Sequence, residues 1–168
     1  MLDSDSLCTY LSDFYSSIGQ MAARMAHLAD FFDGEDIKEI RDIFSSLMIN
    51  DPLGHFTIEE QIVFPTIVKV LVSMKYGMLV KELITEHASI LRLISELGNF
   101  LDAPLPEGPM RMVTVARMRM NMKHLTRMVI EHTAKERAEI LPVLKGNASI
   151  RFLVGRAHLA HTVIAGKR

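Results

Sequence analysis

Two stretches of this chain set a histidine and a glutamate four residues apart, with a proline six residues further on. They are His55-Phe-Thr-Ile-Glu59 with Pro65, and His132-Thr-Ala-Lys-Glu136 with Pro142. Written out, HFTIEEQIVFP and HTAKERAEILP share only those three residues, at the same offsets. Residues four apart lie one turn apart on one helical face. Each pair can therefore present an imidazole and a carboxylate to a single point in the core of a helical bundle. That donor combination suits a borderline-to-hard metal such as iron, manganese or zinc.

The rest of the chain supplies the helices. Helical periodicity runs through almost every segment, and strand-like alternation persists nowhere. A first helix starts after an Asp3/Ser4 cap and carries Leu7, Leu11, Phe14, Ile18, Met21, Met25, Leu28 and Phe32 as its seam, ending at Asp33-Gly34. A second helical stretch carries Ile37, Ile40, Phe44 and Leu47, breaks at Asn50-Asp-Pro-Leu-Gly54, and resumes over about 55–73. Tyr76-Gly77 reads as a turn, and a third main helix covers about 78–101. Asp102-Ala-Pro-Leu-Pro-Glu-Gly-Pro109 is the clearest loop. A fourth helix follows over about 110–144, bent at Pro142, and a tail helix spans about 149–164. The expected fold is all-α: an antiparallel four-helix bundle with a short C-terminal tail helix, forming one domain over residues 1–168.

Polar residues occupy core slots in this pattern. The third seam reads Val80, Leu83, His87, Ile90, Ile94, Leu97, Leu101. The fourth reads Val115, Met118, Met122, Leu125, Val129, His132, Glu136, Ile140, Val143. A buried carboxylate is costly unless it is paired or bound to a metal. Two such carboxylates and three such histidines satisfy one another most simply around cations.

Bulk properties narrow the function class. With 19 basic and 20 acidic residues the formal net charge is −1, so nothing global points to nucleic acid. The start, MLDSDSLCTY, is too acidic and polar for a secretory signal, and the most apolar run, 62–74, is too short to span a bilayer. The single cysteine, Cys8, excludes an internal disulfide framework. The expectation is a soluble cytoplasmic protein with no membrane and no nucleic-acid partner.

The segments HFTIEEQIVFP, Glu86-His87 and HTAKERAEILP resemble the hemerythrin-like, HHE cation-binding family, in the right order and over most of residues 1–145. The resemblance implies a four-helix bundle around a non-haem di-iron centre, with two oxo- or hydroxo-bridged iron ions, or zinc or manganese in their place. It implies as ligands His55 and Glu59 from one helix, His87 from the next, and His132 and Glu136 from the last. The glutamates would bridge the metals and the histidines would cap them. Members of that family bind oxygen, respond to nitric oxide or oxidative stress, take part in repair of iron–sulfur centres, or sense iron. A small diatomic ligand is therefore the expected partner. A regulatory bundle with one metal or none, and a di-iron redox enzyme, are the competing readings.

One ligand of the family pattern is missing. The family supplies a further histidine from the first helix, where this chain has only His27. That residue is rotated about 100° from seam residue Leu28 and stands on the order of 10 Å from the expected turn at Gly34, whereas His55 is about 25 Å from it. His87 and His132 are 45 residues apart, and the same distance back from His55 falls on Tyr10. Three alternatives stay open: a Tyr10 phenolate, which would suit ferric iron; a water; or His27, should the turn lie elsewhere.

The remaining candidates read as structural. His124 is rotated about 80° from His132, and His158 and His161 belong to a solvated tail. Glu60, Glu86 and Glu131 flank the ligands and suit outer hydrogen bonds. The methionine cluster fills core, apart from Met120, which marks a candidate homo-oligomer contact.

Overall fold

In the computed structural model the backbone is described over residues 4–33, 37–49 and 52–165, and the side chains over 8–33, 37–45 and 54–156. Every regular element among them is helical. In chain order they are α1 (Ser4–Phe31), α2 (Ile37–Ile49), α3 (Pro52–Ile58), a single π-helical stretch (Glu59–Val63), α4 (Phe64–Leu71), α5 (Met74–Asp102), α6 (Pro109–Gly146) and α7 (Ala148–Ala165). The fold is all-α. Expectations for Asp3, Gly34 and Asn50-Asp51, and for the side chains of Leu7, Leu47, His158 and His161, fall outside the described residues.

The seams of α5 and α6 are buried as the periodicity requires, except that Leu144 takes the last core slot of α6 and Val143 is half-buried. Cross-links fix the direction of these two helices. Lys75 meets Glu139 at 2.8 Å, Glu82 meets Lys135 at 2.6 Å, and Glu86 meets His132 at 2.8 Å, so α5 and α6 run antiparallel. Between α1 and α6, the Thr126 hydroxyl donates to the carbonyl of Ala22, and Arg119 donates to those of Ala29 and Asp30. These two are antiparallel as well. Arg24 and Glu39, at 2.9 Å, tie α1 to α2, and Arg41 donates to the carbonyl of Leu101 to tie α2 to α5. The arrangement is compatible with an antiparallel four-helix bundle.

Three details differ from the sequence reading. The seam of α1 runs Leu11, Tyr15, Ile18, Ala22, Met25, Ala29 and Phe32, with Phe14 also covered but Met21 and Leu28 only half-buried. Small Ala22 and Ala29 let α6 approach closely enough for its side chains to reach the α1 backbone. Tyr76 and Gly77 are helical, within the first turn of α5. The reversal sits at Val72 and Ser73, where Val72 is left-handed (φ 43°, ψ 46°) and 85% exposed, and its N–H donates to the carbonyl of Val68. A β-branched residue is disfavoured in that conformation, which is why no strong turn signal is visible there. The Pro-rich loop does separate α5 from α6, and Gly108 (φ 64°) supplies the positive φ before Pro109. No helix among the described residues is long and apolar enough to cross a membrane.

Candidate metal centre

Four segments converge on one buried point. The last turn of α3 brings His55 and the π stretch begins at Glu59; α5 brings His87; α6 brings His132 and Glu136. All five are at most 2% exposed. Glu59, His87, His132 and Glu136 each offer a ligand atom within 4.8 Å of the others, a group able to hold a metal ion. His55 joins through Glu59, its Nε2 being 3.0 Å from Glu59 Oε1.

The tautomers follow from the outer partners. His87 Nδ1 lies 2.8 Å from Glu60 Oε1, and His132 Nδ1 lies 2.8 Å from Glu86 Oε2. A carboxylate can only accept, so each Nδ1 carries the proton and donates. Glu86 is held in turn by Lys135, which also binds Glu82. Burial alone would raise the Glu86 carboxyl, but Lys135 and His132 outweigh it and keep the group below the usual carboxylate range. Both Nε2 atoms are left pointing inward, and they stand 3.0 Å apart. Two imidazole lone pairs cannot face each other at that distance unless a proton or a cation lies between them.

The metal-free charges respond accordingly. Burial would lower His87, yet Glu136 and Glu59 overcome it and lift the ring to about 9. The ring can thus hold the shared proton at neutral pH. Glu59 is held far below the usual range, because His55 and His87 outweigh the burial that would raise it. Glu136 moves the other way, raised by burial and then by the neighbouring Glu59 charge. Even so, both ring nitrogens of His55, Oε2 of Glu59 and both oxygens of Glu136 have no hydrogen-bond partner among the described residues. Glu136 Oε1 is 3.2 Å from His132 Nε2, and Glu59 Oε2 is 3.3 Å from His87 Nε2, close but off the direction of a hydrogen bond. Buried polar atoms are seldom left so. Unpaired nitrogens and carboxylate oxygens, with no thiolate among them, fit a cation of the iron, manganese or zinc type.

Aromatic rings wall the centre. Phe14 stacks on His55 with centroids 3.6 Å apart, and Phe56 stacks on His87 at 3.8 Å. A cavity of about 20 Å³ abuts His132 and Glu136, faced mostly by Phe14, Phe56, Ile90 and Val129.

The first helix contributes a residue that the spacing argument misses. Tyr15, 1% exposed, donates its phenol O–H to Glu59 Oε1 at 3.0 Å. Burial first, then the Glu59 and Glu136 charges, push that phenol well above its usual range, so it keeps its proton. Tyr10, in contrast, is 42% exposed, with its ring 6.2 Å from that of His55. Counting back 45 residues assumes two equal hairpins, whereas the returning arm before His55 is divided into α2 and α3 and the long α5 has no such division. His27 is exposed and packs edge-on to Phe31 at 5.3 Å. On the α1–α6 register it stands level with about residue 121, roughly 16 Å along the axis from His132. His124 lines a surface groove with Met120 and Arg127, away from the cluster. Glu131 is exposed, while Glu60 and Glu86 take the outer positions their sequence neighbours suggested.

Neither a curated protein nor a solved structure matches the chain. The family model for the hemerythrin HHE cation binding domain matches residues 16–144, a span that holds all five converging residues, and the chain belongs to that family.

Proposed function

We propose that this chain is a non-haem di-metal protein, with iron as its metal, that binds or senses a small ligand such as oxygen or nitric oxide. One observation carries the reading: the Nε2 atoms of His87 and His132 face each other at 3.0 Å while each Nδ1 is committed to a glutamate. A transition-metal cation would satisfy both lone pairs together with the unpaired Oε2 of Glu59 and both oxygens of Glu136. His55, Glu59, His87, His132 and Glu136 would hold the metal. Iron, when bound, supplies an open coordination position and a redox couple.

The protein's own residues do the rest. Glu60 and Glu86 fix the imidazole orientations and raise their basicity. Phe14 and Phe56 keep bulk water off His55 and His87. The cavity beside His132 and Glu136 has room for one ligand of water or diatomic size. A single-ion centre is the second reading, because His55 stands outside the group of four.

Purified without a histidine tag and loaded anaerobically with ferrous iron, the protein is expected to carry two irons per chain. Its optical spectrum should change on exposure to oxygen or nitric oxide. One iron per chain favours the second reading, and only a trace of metal after loading overturns both.

A further inference from the structure

The two ends of the cluster are built to different standards. At one end His87 and His132 are clamped at Nδ1 by Glu60 and Glu86, each at 2.8 Å, so their tautomers are set before any ion arrives. At the other end neither His55 nitrogen has a hydrogen-bond partner among the described residues. Apart from the approach of Nε2 to Glu59 Oε1, its ring is held by packing, face-on against Phe14 and edge-on to Tyr15 at 5.6 Å. The carboxylate oxygen that His55 faces, Glu59 Oε1, is also the oxygen that accepts the Tyr15 hydroxyl. The oxygens of Glu136 and Glu59 Oε2 at the clamped end carry no such hydrogen bond.

We infer that the centre takes its two ions unequally, the first among Glu59, His87, His132 and Glu136, the second at His55, where the Tyr15 phenol competes with it for Glu59 Oε1. This rests on the di-metal reading above. The physical reason is preorganisation. Ligands whose outer hydrogen bonds fix tautomer and orientation bind metal more tightly than ligands without them, by about tenfold to a hundredfold. At His55 no outer bond fixes the ring, and the incoming ion must displace a hydrogen bond to a charged group. Losing such a bond is worth about tenfold or more in binding. Tyr15 is thus a positioning residue rather than a ligand. It satisfies Glu59 when the His55 end is empty and gives up that oxygen only when a second ion is present in excess.

The test is a titration of the metal-free protein with cobalt(II), followed by visible absorption and calorimetry, with bound metal counted independently. Wild type should fill in two steps, the second at least about tenfold weaker than the first. Tyr15→Phe should leave the first step in place and tighten the second by about tenfold. His55→Ala should remove the second step alone, and His87→Ala should remove the first. Two ions entering wild type with equal affinity would overturn the inference whether or not any variant folds. A second step weakened by Tyr15→Phe would overturn it too, since the phenol would then be a ligand. No metal binding in any form would instead remove the di-metal reading beneath it.

Discussion

Glu86→Ala tests how far the outer carboxylates govern the centre. Glu86 touches no other carboxylate or imidazole of the cluster; its reach is through the 2.8 Å hydrogen bond from His132 Nδ1. Lys135 keeps it ionised and in place. Truncation frees the His132 ring to flip, which swings the Nε2 lone pair off the metal, or to change tautomer, which puts a proton on Nε2. Outer partners of this kind are worth about 10- to 100-fold in metal affinity, or roughly 1.4–2.8 kcal/mol. Its side chain is 24% exposed, so water can partly replace it, and the lower half of that range is expected. The measurement is competition with a chelator of known affinity, run beside Glu131→Ala. Glu131 also adjoins His132 in sequence but is exposed, so its loss should change affinity less than twofold. Glu86→Gln keeps an acceptor oxygen and should recover part of the loss. Equal behaviour of Glu86→Ala and Glu131→Ala would refute the reasoning.

His27→Ala should leave metal content unchanged and alter stability by no more than about 0.5 kcal/mol, checked by elemental analysis and thermal melting. Glu136→Ala or His132→Ala should each remove at least one ion by the same analysis. Tyr10→Phe should not change the visible spectrum of the iron-loaded protein; a change would restore Tyr10 as a ligand. The metal-free protein should lose stability as pH rises, because the His87 pKa is raised to about 9 on folding. Its contribution is full below about 6.5, fades as pH climbs through 9, and amounts to at most about 3 kcal/mol. The metal-loaded form should show the opposite slope over the same range, since ligation requires neutral imidazoles. Melting temperatures of the two forms that move in parallel with pH would count against a protonated His87.

The seams of α5 and α6 are legible in the sequence because large apolar residues mark one face and the polar intruders His87, His132 and Glu136 fall on that face. The seam of α1 is only half legible. Phe14, Met21 and Leu28 are more hydrophobic than Tyr15, Ala22 and Ala29 and draw the stripe one residue out of phase. What decides is close approach to α6, where alanine is favoured for being small, and hydrophobicity alone cannot register that. Tyr15 was lost with the phase. The outer pairs Glu60–His87 and Glu86–His132 were visible as acidic residues beside ligands, but which of Glu60, Glu86 and Glu131 reaches a ring depends on helix rotation. The reversal puts β-branched Val72 in the left-handed region, and Ser73 alone is too weak a turn signal to outweigh Tyr76-Gly77.

The two copies of the motif share their offsets but not their backbones, and the difference bears on the site. In α6 the helix passes Pro142 without changing type. In the first copy a π stretch begins at Glu59, and the Phe64 N–H reaches five residues back to the carbonyl of Glu59. Ile62, Val63 and Phe64 are buried in succession, as a widened turn allows. Proline lacks an N–H and its ring clashes with the carbonyl four residues back; the wider turn at Pro65 accommodates both. That turn also lets Glu59 face the cluster while its neighbour Glu60 reaches His87. Such single-turn π stretches are frequent at functional sites. Pro65 is exposed, so Pro65→Ala removes little packing while returning an N–H that can close an ordinary α-helical bond to Gln61. The expected result is weaker metal binding, by an order of magnitude, with thermal stability unchanged or raised. Pro142→Ala should raise stability, by up to about 3 kcal/mol on helix propensity, and leave metal binding as it was, because that segment is already α-helical. If both substitutions acted alike on metal affinity, the π turn would have no part in aiming Glu59 and Glu60, and the widened backbone would be a consequence of proline alone.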